Sequence, residues 1–326
     1  MIVDDSEGRD YIDKVRAGTI KLGFEIGCEF DNHFKFKRNA FNIMAGHANV
    51  GKTLFILYYF LCIANNHGIR FCMYIAENDV EDAKLDLIEL FTKKKIEKLN
   101  EMQYDAAWQW VNHHFKFIDH EGFYEKKGRS VNHMDVLKMF KESGLDSLVI
   151  DPWNSLHSEG NSHQSDYAAA TDLRMHCKIN HKSIFILAHG VTSALRLVHG
   201  KESEYMGHTR PLMAADIEGG GKWVNRADDL IIVHRYTQHE TEWMFTDVHV
   251  RKIKKCRTGG KPTFLTNPVR FKFEGVSFTV NGVDPMTGEK QPKQLETKPI
   301  DNTVVQQSSS WYEVDKDDDE EVSLPF

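Results

Sequence analysis

The sequence lacks a long apolar run. Its longest uninterrupted apolar stretch, residues 54–64, has eleven residues, whereas a helix that crosses a bilayer needs about 20. The first ten residues, MIVDDSEGRD, are acidic and contain no apolar core of the kind that a signal peptide has. These absences predict a protein with no membrane partner and no secretory leader.

Paired cysteines are also missing. The five cysteines are scattered, at positions 28, 62, 72, 177 and 256, and no two of them form a CxxC pair. Histidine is frequent, with 17 residues, but stretches such as VNHHF and NHMD are not accompanied by further ligands at zinc spacing. A disulfide framework and a zinc centre are therefore not expected, and reduced thiols indicate a cytoplasmic protein.

The chain has no overall excess of positive charge. Its formal net charge is −7, and the last fourteen residues alone, EVDKDDDEEVSLPF, contribute −6. The rest of the chain is thus near neutral, and a near-neutral body can still present a basic groove. Residues 250–262, VRKIKKCRTGGKP, contain six Lys and Arg and no acid.

Short apolar runs alternate with stretches of helical length. The runs are FNIMA, RFCMYIA, FKFID, SLVID and SIFILAH, and together they predict an α/β fold with a largely parallel central sheet covered by helices on both faces. After residue 235 the alternating pattern predicts antiparallel strands. We expect an entry segment over residues 1–38, one domain over 39–283, and a linker with a disordered acidic tail over 284–326.

The stretch AGHANVGKT has the pattern of a phosphate-binding P-loop. It follows an apolar strand and opens an apolar helix, which is the context that the motif requires. Backbone N–H groups of such a loop bind phosphate oxygens, so the sequence predicts ATP as cofactor. Lys52 would bind the β- and γ-phosphates, and the Thr53 hydroxyl would bind Mg²⁺. The predicted ATP-binding residues are Gly46, His47, Ala48, Asn49, Val50, Gly51, Lys52, Thr53 and Leu54.

Three further polar residues end predicted strands. Asp151 follows the run SLVI and would complete the Mg²⁺ site. Glu77 ends the strand after the P-loop helix. We expect that strand to neighbour the P-loop strand, so that Glu77 positions the attacking water. His189 ends a later strand and could sense the γ-phosphate. The alternatives are a turn or capping role for Asp151, a solvent-facing Glu77 and a packed His189.

These motifs together carry a family resemblance. The set GHANVGKT, YIAEND, LVIDPWN, ILAHG and DIEGGGKWVNRADDLIIVHR resembles the RecA-type motor domain of hexameric, DnaB-like replicative helicases. It is most similar to the branch of mitochondrial Twinkle and the phage primase–helicases. The resemblance covers about residues 20–275 and implies a RecA-like P-loop ATPase. It also implies catalytic roles for Glu77, Lys52 and His189.

The resemblance implies an oligomer that binds single-stranded DNA. The family's arginine finger, which acts on ATP bound by a neighbouring subunit, falls on Arg235. Its DNA-binding loops fall on roughly residues 190–210 and on the segment DIEGGGKW, which points to Arg196, Gly220, Gly221 and Lys222 as DNA contacts. The chain departs from the family at Val191, where relatives often have lysine. About forty residues precede the P-loop strand, so we expect a motor without a primase domain, with residues 1–38 as a subunit-exchange arm.

The acidic tail predicts a partner of its own. DDDEEVSLPF resembles the phenylalanine-terminated tails of bacterial single-stranded-DNA-binding proteins, which dock on replication enzymes. Phe326 would then anchor a replication protein. The alternatives are a solubilising tail or a competitor for the protein's own DNA groove.

The leading hypothesis is an ATP-dependent DNA helicase that moves on single-stranded DNA as a ring, most simply a hexamer, during replication. Its compact design suggests a phage protein acting in bacterial host cytoplasm. Two other hypotheses share the ATPase core. One is a RecA-like recombinase filament, and the other is an ATP-switched loader or mediator that binds single strands.

Overall fold

A computed structural model describes residues 5–19, 22–156 and 162–288. The apolar runs of the sequence form one nine-stranded sheet. Its strands are β1 (Phe41–Gly46), β2 (Phe71–Ile75), β3 (Phe115–Phe117), β4 (Ser147–Asp151), β5 (Ser183–His189), β6 (Asp229–His234), β7 (Phe245–Ile253), β8 (Val269–Phe273) and β9 (Phe278–Thr279).

The strand order is β3-β2-β4-β5-β1-β6-β7-β8-β9. The strands from β3 to β6 in this order pair in parallel, and those from β6 to β9 pair antiparallel. The predicted fold class, a largely parallel sheet with antiparallel C-terminal strands, is confirmed. Parallel strands end at one edge of the sheet, so the polar residues that follow them meet there.

Helices cover both faces of this sheet. The α-helices are α1 (Asp5–Arg16), α2 (Lys52–His67), α3 (Val80–Thr92), α4 (Glu101–His114), α5 (His120–Lys127), α6 (His133–Ser143), α7 (Ser162–Asn180), α8 (Gly221–Arg226) and the single turn α9 (Cys256–Gly259). One apolar core lies between the sheet and α2, α3 and α4. A second lies on the opposite face, under α6, α7 and α8.

Alternate side chains of each strand pack into one or the other of these two cores. In β1, Ile43 packs on the α7 side and Met44 on the α2 side, because successive side chains of a strand point to opposite faces. Helix α2 is buried almost throughout, from Phe55 to Ala64. The long apolar run therefore forms a core helix, and none of the described helices is both long and apolar enough to cross a membrane.

Segments at both ends of the predicted domain also enter the core. Phe36 is fully buried, and its ring stacks on Phe185 of β5 with centroids 5.9 Å apart. Asp284, where the linker was expected to begin, is buried, accepts a hydrogen bond from Tyr58 (3.0 Å) and pairs with Lys93 (2.7 Å). The core thus extends beyond residues 39–283 on both sides.

Candidate active site and nucleic-acid interface

The P-loop connects the end of β1 to the start of α2. Asn49 and Gly51 have positive φ angles of 60° and 80°, which lets the chain turn tightly before the helix begins at Lys52. Gly46 is required by close approach, because a Cβ atom there would lie 2.4 Å from the carbonyl oxygen of Val233. The chain therefore turns tightly between β1 and α2, and the N-terminus of α2 is directed at the loop.

Lys52 lies inside the loop. Its side chain is buried, and Nζ donates hydrogen bonds to the carbonyl oxygens of His47 (2.8 Å) and Gly46 (3.2 Å). Burial lowers the pKa of the ammonium group, while the carboxylates of Asp151 and Glu77 act in the opposite direction. The lysine holds the loop through carbonyl contacts, which it can exchange for phosphate oxygens.

Thr53 and Asp151 meet across the sheet edge. The Thr53 hydroxyl donates a hydrogen bond to Oδ2 of Asp151 at 2.6 Å. Asp151 is buried, and desolvation raises the pKa of its carboxyl group. A hydroxyl and a carboxylate are hard oxygen donors that suit Mg²⁺, which takes few protein ligands and keeps waters and substrate phosphates. The described residues contain no cluster of three or more His, Cys, Asp or Glu placed to hold a metal.

The predicted position of Glu77 was wrong in one respect. We expected its strand, β2, to neighbour β1, but β4 and β5 lie between them. The apolar pattern identifies strands and not their order, since the chain leaves β1 through a helix and can return to either side. Glu77 nevertheless reaches the site, because its Oε1 lies 3.4 Å from Nε2 of His189, at the end of β5 beside β1.

His189 joins the two halves of this site. Its Nδ1 lies 3.4 Å from Nζ of Lys52, and its Nε2 faces Glu77. The carboxylate is exposed and the imidazole is partly buried. Lys52, His189 and Glu77 therefore form a continuous row along the carboxyl ends of the strands.

Arg235 follows β6 and lies beside the P-loop of its own chain. A Cβ atom placed on Gly51 would be 3.8 Å from Nη1 of Arg235. The Nε–H group donates to the carbonyl oxygen of Trp243, and the guanidinium lies over that indole ring at 5.8 Å. Within one chain this side chain thus lies next to the loop between β1 and α2. The role on a neighbour's ATP stays a prediction.

The two predicted DNA-binding loops lie against each other. Val191 N–H donates to the carbonyl oxygen of Asp216 (2.8 Å), and Glu218 N–H donates to that of His189 (2.9 Å). Arg196 is exposed on the first loop, and Lys222 is half-buried on α8. The loops are therefore tied directly to the end of β5.

The glycines of the second loop have distinct roles. Gly219 needs its small size, because a Cβ atom there would lie 2.6 Å from the Trp223 indole. Gly220 adopts φ 56° and ψ −138°, a conformation open mainly to glycine. Gly221 has free space around it. Gly219 and Gly221 are exposed and Gly220 is half-buried, so the segment lies at the surface.

Sequence reasoning missed a hairpin formed by residues 197–210. Arg210 N–H donates to the carbonyl oxygen of Leu197 at 2.8 Å, and the Tyr205 ring stacks on Tyr236 with centroids 4.0 Å apart and planes 1° apart. Nε2 of His199 lies 3.0 Å from the Tyr236 hydroxyl. The sequence feature that could have indicated this hairpin is Tyr236, which lies two residues after the end of β6. A tyrosine at such a position is too common to predict a hairpin.

The same hairpin contacts the P-loop. Nε2 of His47 lies 3.1 Å from the carbonyl oxygen of Arg210. His47 was predicted as an ATP-binding residue, and its pKa is lowered by burial. A single residue of the loop between β1 and α2 thus contacts the base of the hairpin. Phe326 and the acidic tail lie outside the described residues.

Comparison with known proteins supports the resemblance that the motifs indicated. The chain is 24% identical over 272 residues, 77% of its length, to the Twinkle homolog protein, chloroplastic/mitochondrial, of Arabidopsis thaliana. It covers 36% of that relative, or about a third of its length. No protein-family model matches the chain.

Solved structures give the same fold. One of them, an isolated ATPase domain, matches with a TM-score of 0.62 and 14% identity, covering 86% of this chain and 98% of that one. A DnaB-like replicative helicase, solved to examine its interactions with primase, matches with a TM-score of 0.60 and 13% identity, covering 85% and 67% of the two chains. The chain therefore has the fold of these ATPase domains, and the Twinkle homolog is one of the proteins to which its sequence is similar.

Proposed function

We propose that the domain is the ATP-driven motor of a DNA helicase, which moves on single-stranded DNA as a ring oligomer during replication. The observation that carries this proposal is the row formed by Lys52, His189 and Glu77. It places a phosphate-binding cation, a connecting imidazole and a carboxylate along one sheet edge. The Thr53–Asp151 pair lies beside it.

Each side chain has a role that follows from its place. Lys52 exchanges its carbonyl partners for the β- and γ-phosphates of ATP, and Glu77 orients the attacking water. Thr53 and Asp151 would hold Mg²⁺, which neutralises charge on the phosphates.

Movement of β5 provides the link to DNA. His189 contacts Lys52 through its side chain and Glu218 through its backbone carbonyl. A shift of this residue on phosphate release therefore moves both loops, which would carry Arg196, Gly220, Gly221 and Lys222 against single-stranded DNA. Coupled in this way, hydrolysis steps the loops along the strand.

Assembly and partners complete the proposal. A ring, most simply a hexamer, would place the loops around a central channel, and the acidic tail with Phe326 would recruit replication proteins. Support for the ring comes from the DnaB-like fold and for the tail from its sequence pattern.

Hydrolysis of ATP with and without single-stranded DNA tests the motor proposal. We expect hydrolysis that DNA stimulates, and Lys52→Ala should lower its kcat by about 100-fold or more, since it removes a preorganised contact to developing charge. Lys127→Gln, an exposed charge on α5, is the matched control. Absence of ATP hydrolysis by the folded wild-type chain would refute the proposal.

A further inference from the structure

A cavity of about 1050 Å³ lies between the hairpin of residues 197–210 and the sheet face formed by β7 and β8. Its volume is enough for a nucleotide. The side chains that matter here are Tyr205 and Arg210 on the hairpin, Tyr236 after β6, His249 and Arg251 on β7, and Arg270 on β8.

Arg251 has no anionic partner among the described residues. Its Nε and Nη1 atoms are buried and make no hydrogen bond there. Burial lowers the pKa of the guanidinium, but an arginine remains charged at neutral pH. The residue as a whole is half-buried. A guanidinium with two desolvated nitrogens and no counter-charge is unfavourable, so an anion would stabilise this side chain.

His249 lies two residues before Arg251, on the same face of β7. It is 3% exposed, and both ring nitrogens lack a partner among the described residues. Burial and the neighbouring guanidinium lower its pKa to about 3. The imidazole is therefore neutral at pH 7 and offers one N–H donor without adding charge.

The other charged side chains of the cavity wall determine how much negative charge a ligand can carry. Arg270 is occupied by Asp247 (2.9 Å) and Glu242, whereas Arg210 on the hairpin forms no ion pair with a described residue. Glu202 and Glu204 are exposed carboxylates on the same hairpin. They disfavour a highly charged triphosphate and favour a ligand with a single phosphate group.

We propose that this cavity binds one phosphate group of a nucleotide, with Arg251 and Arg210 as the cations and His249 as a hydrogen-bond donor. The stacked Tyr205 and Tyr236 provide an aromatic wall for the attached base. The nucleotide is either part of a bound single strand, a source that rests on the motor function proposed above, or a free nucleoside monophosphate.

The first arm of the test measures binding of a labelled oligothymidylate without terminal phosphates, by fluorescence anisotropy over a range of salt concentrations. If the strand is the source, Arg251→Gln weakens binding several-fold and reduces the salt slope by about 0.7, the value for one lost phosphate contact on a single strand. Arg251→Lys recovers part of the affinity, and Lys127→Gln leaves it unchanged.

The second arm measures binding of thymidine monophosphate by calorimetry on the Lys52→Ala background, which removes the main phosphate contact of the P-loop. If a free nucleotide is the source, saturable binding is present and is lost with Arg251→Gln. If Arg251→Gln does not fold, both measurements are made with Arg210→Gln, a substitution at an exposed position.

Unchanged binding in both arms, with folded variants, would overturn the cavity proposal. ATP hydrolysis measured on the same preparations separates this failure from failure of the motor. Normal hydrolysis with unchanged binding refutes the cavity alone. Absent hydrolysis refutes the motor, and the monophosphate arm still decides whether the cavity binds phosphate.

Discussion

At the scale of single residues, the proposed nucleotide site is organised around a lysine that forms no ion pair with a carboxylate in the part of the chain that the structure describes. Lys52 donates to two carbonyl groups and touches His189, and its burial lowers the pKa of the ammonium group. An ammonium group that donates to neutral carbonyl groups can donate to phosphate oxygens instead. The loop is therefore preorganised for an anion.

Arg235 lies beside Gly51 of its own chain, although the family resemblance implies that it acts on ATP bound by a neighbouring subunit. Two inactive variants distinguish these roles. Lys52→Ala and Arg235→Ala should each be inactive in ATP hydrolysis. If Arg235 acts in trans, mixing the two variants recovers a fraction of the activity, because some interfaces then combine an intact lysine with an intact arginine.

A role of Arg235 on the ATP of its own chain would give the opposite result. If Arg235 serves its own ATP, no subunit of the mixture has a complete site, and the mixed sample stays inactive at every ratio. Hydrolysis by mixtures that have been allowed to exchange subunits is the measurement. Mixtures of each variant with wild-type chain control for exchange.

At the scale of elements, the hairpin of residues 197–210 contacts the surroundings of the proposed nucleotide site at two points. Its base contacts His47 of the P-loop, and its tip region stacks on Tyr236, next to Arg235. We therefore expect Tyr236→Phe, which removes only the hydroxyl contact to His199, to lower the ratio of DNA-stimulated to basal ATP hydrolysis several-fold.

Steady-state rates over a range of single-stranded DNA concentrations measure this ratio. Tyr124→Phe, at an exposed position on α5, is the matched control. A ratio equal to that of the control would mean that the hairpin is held to Tyr236 without any effect on coupling.

The sequence was sufficient for elements whose identity depends on local pattern. The apolar runs predicted the strands, and the strand–glycine–helix context predicted the loop between β1 and α2, because both signals are contained in about ten residues. Strand order was not predictable in this way, so β2 was placed beside β1. The hairpin and the buried Asp284 depend on contacts between distant residues, which a local pattern does not contain.

At the scale of the whole molecule, buried neutral histidines make stability depend on pH. Burial lowers the pKa of His234 and of His249 to about 3, below the value of about 6.5 for an unfolded chain. Between these values the unfolded state binds more protons, so stability is highest above pH 6.5 and falls as the pH falls. Each histidine can contribute up to about 1.4 kcal/mol per pH unit.

Urea unfolding at pH 7 and pH 5 measures this dependence. Burial raises the pKa of Asp151 and of Asp229, so these two carboxyl groups favour the folded state as the pH falls. Because they oppose the effect of the histidines, the measurement compares histidine variants with the wild type. His249→Gln should show a smaller loss of unfolding free energy on acidification than wild type, whereas His113→Gln, at an exposed position, should match wild type. Equal losses in all three would contradict the assignment.

The whole account is tested most directly by ATP-dependent strand displacement on a forked DNA duplex. It predicts that the wild-type chain separates the strands and that Glu77→Gln, which keeps the ATP-binding residues, slows separation by about 100-fold or more. DNA-stimulated hydrolysis without strand separation would contradict the helicase function, and would instead favour a recombinase or a loader built on the same ATPase core.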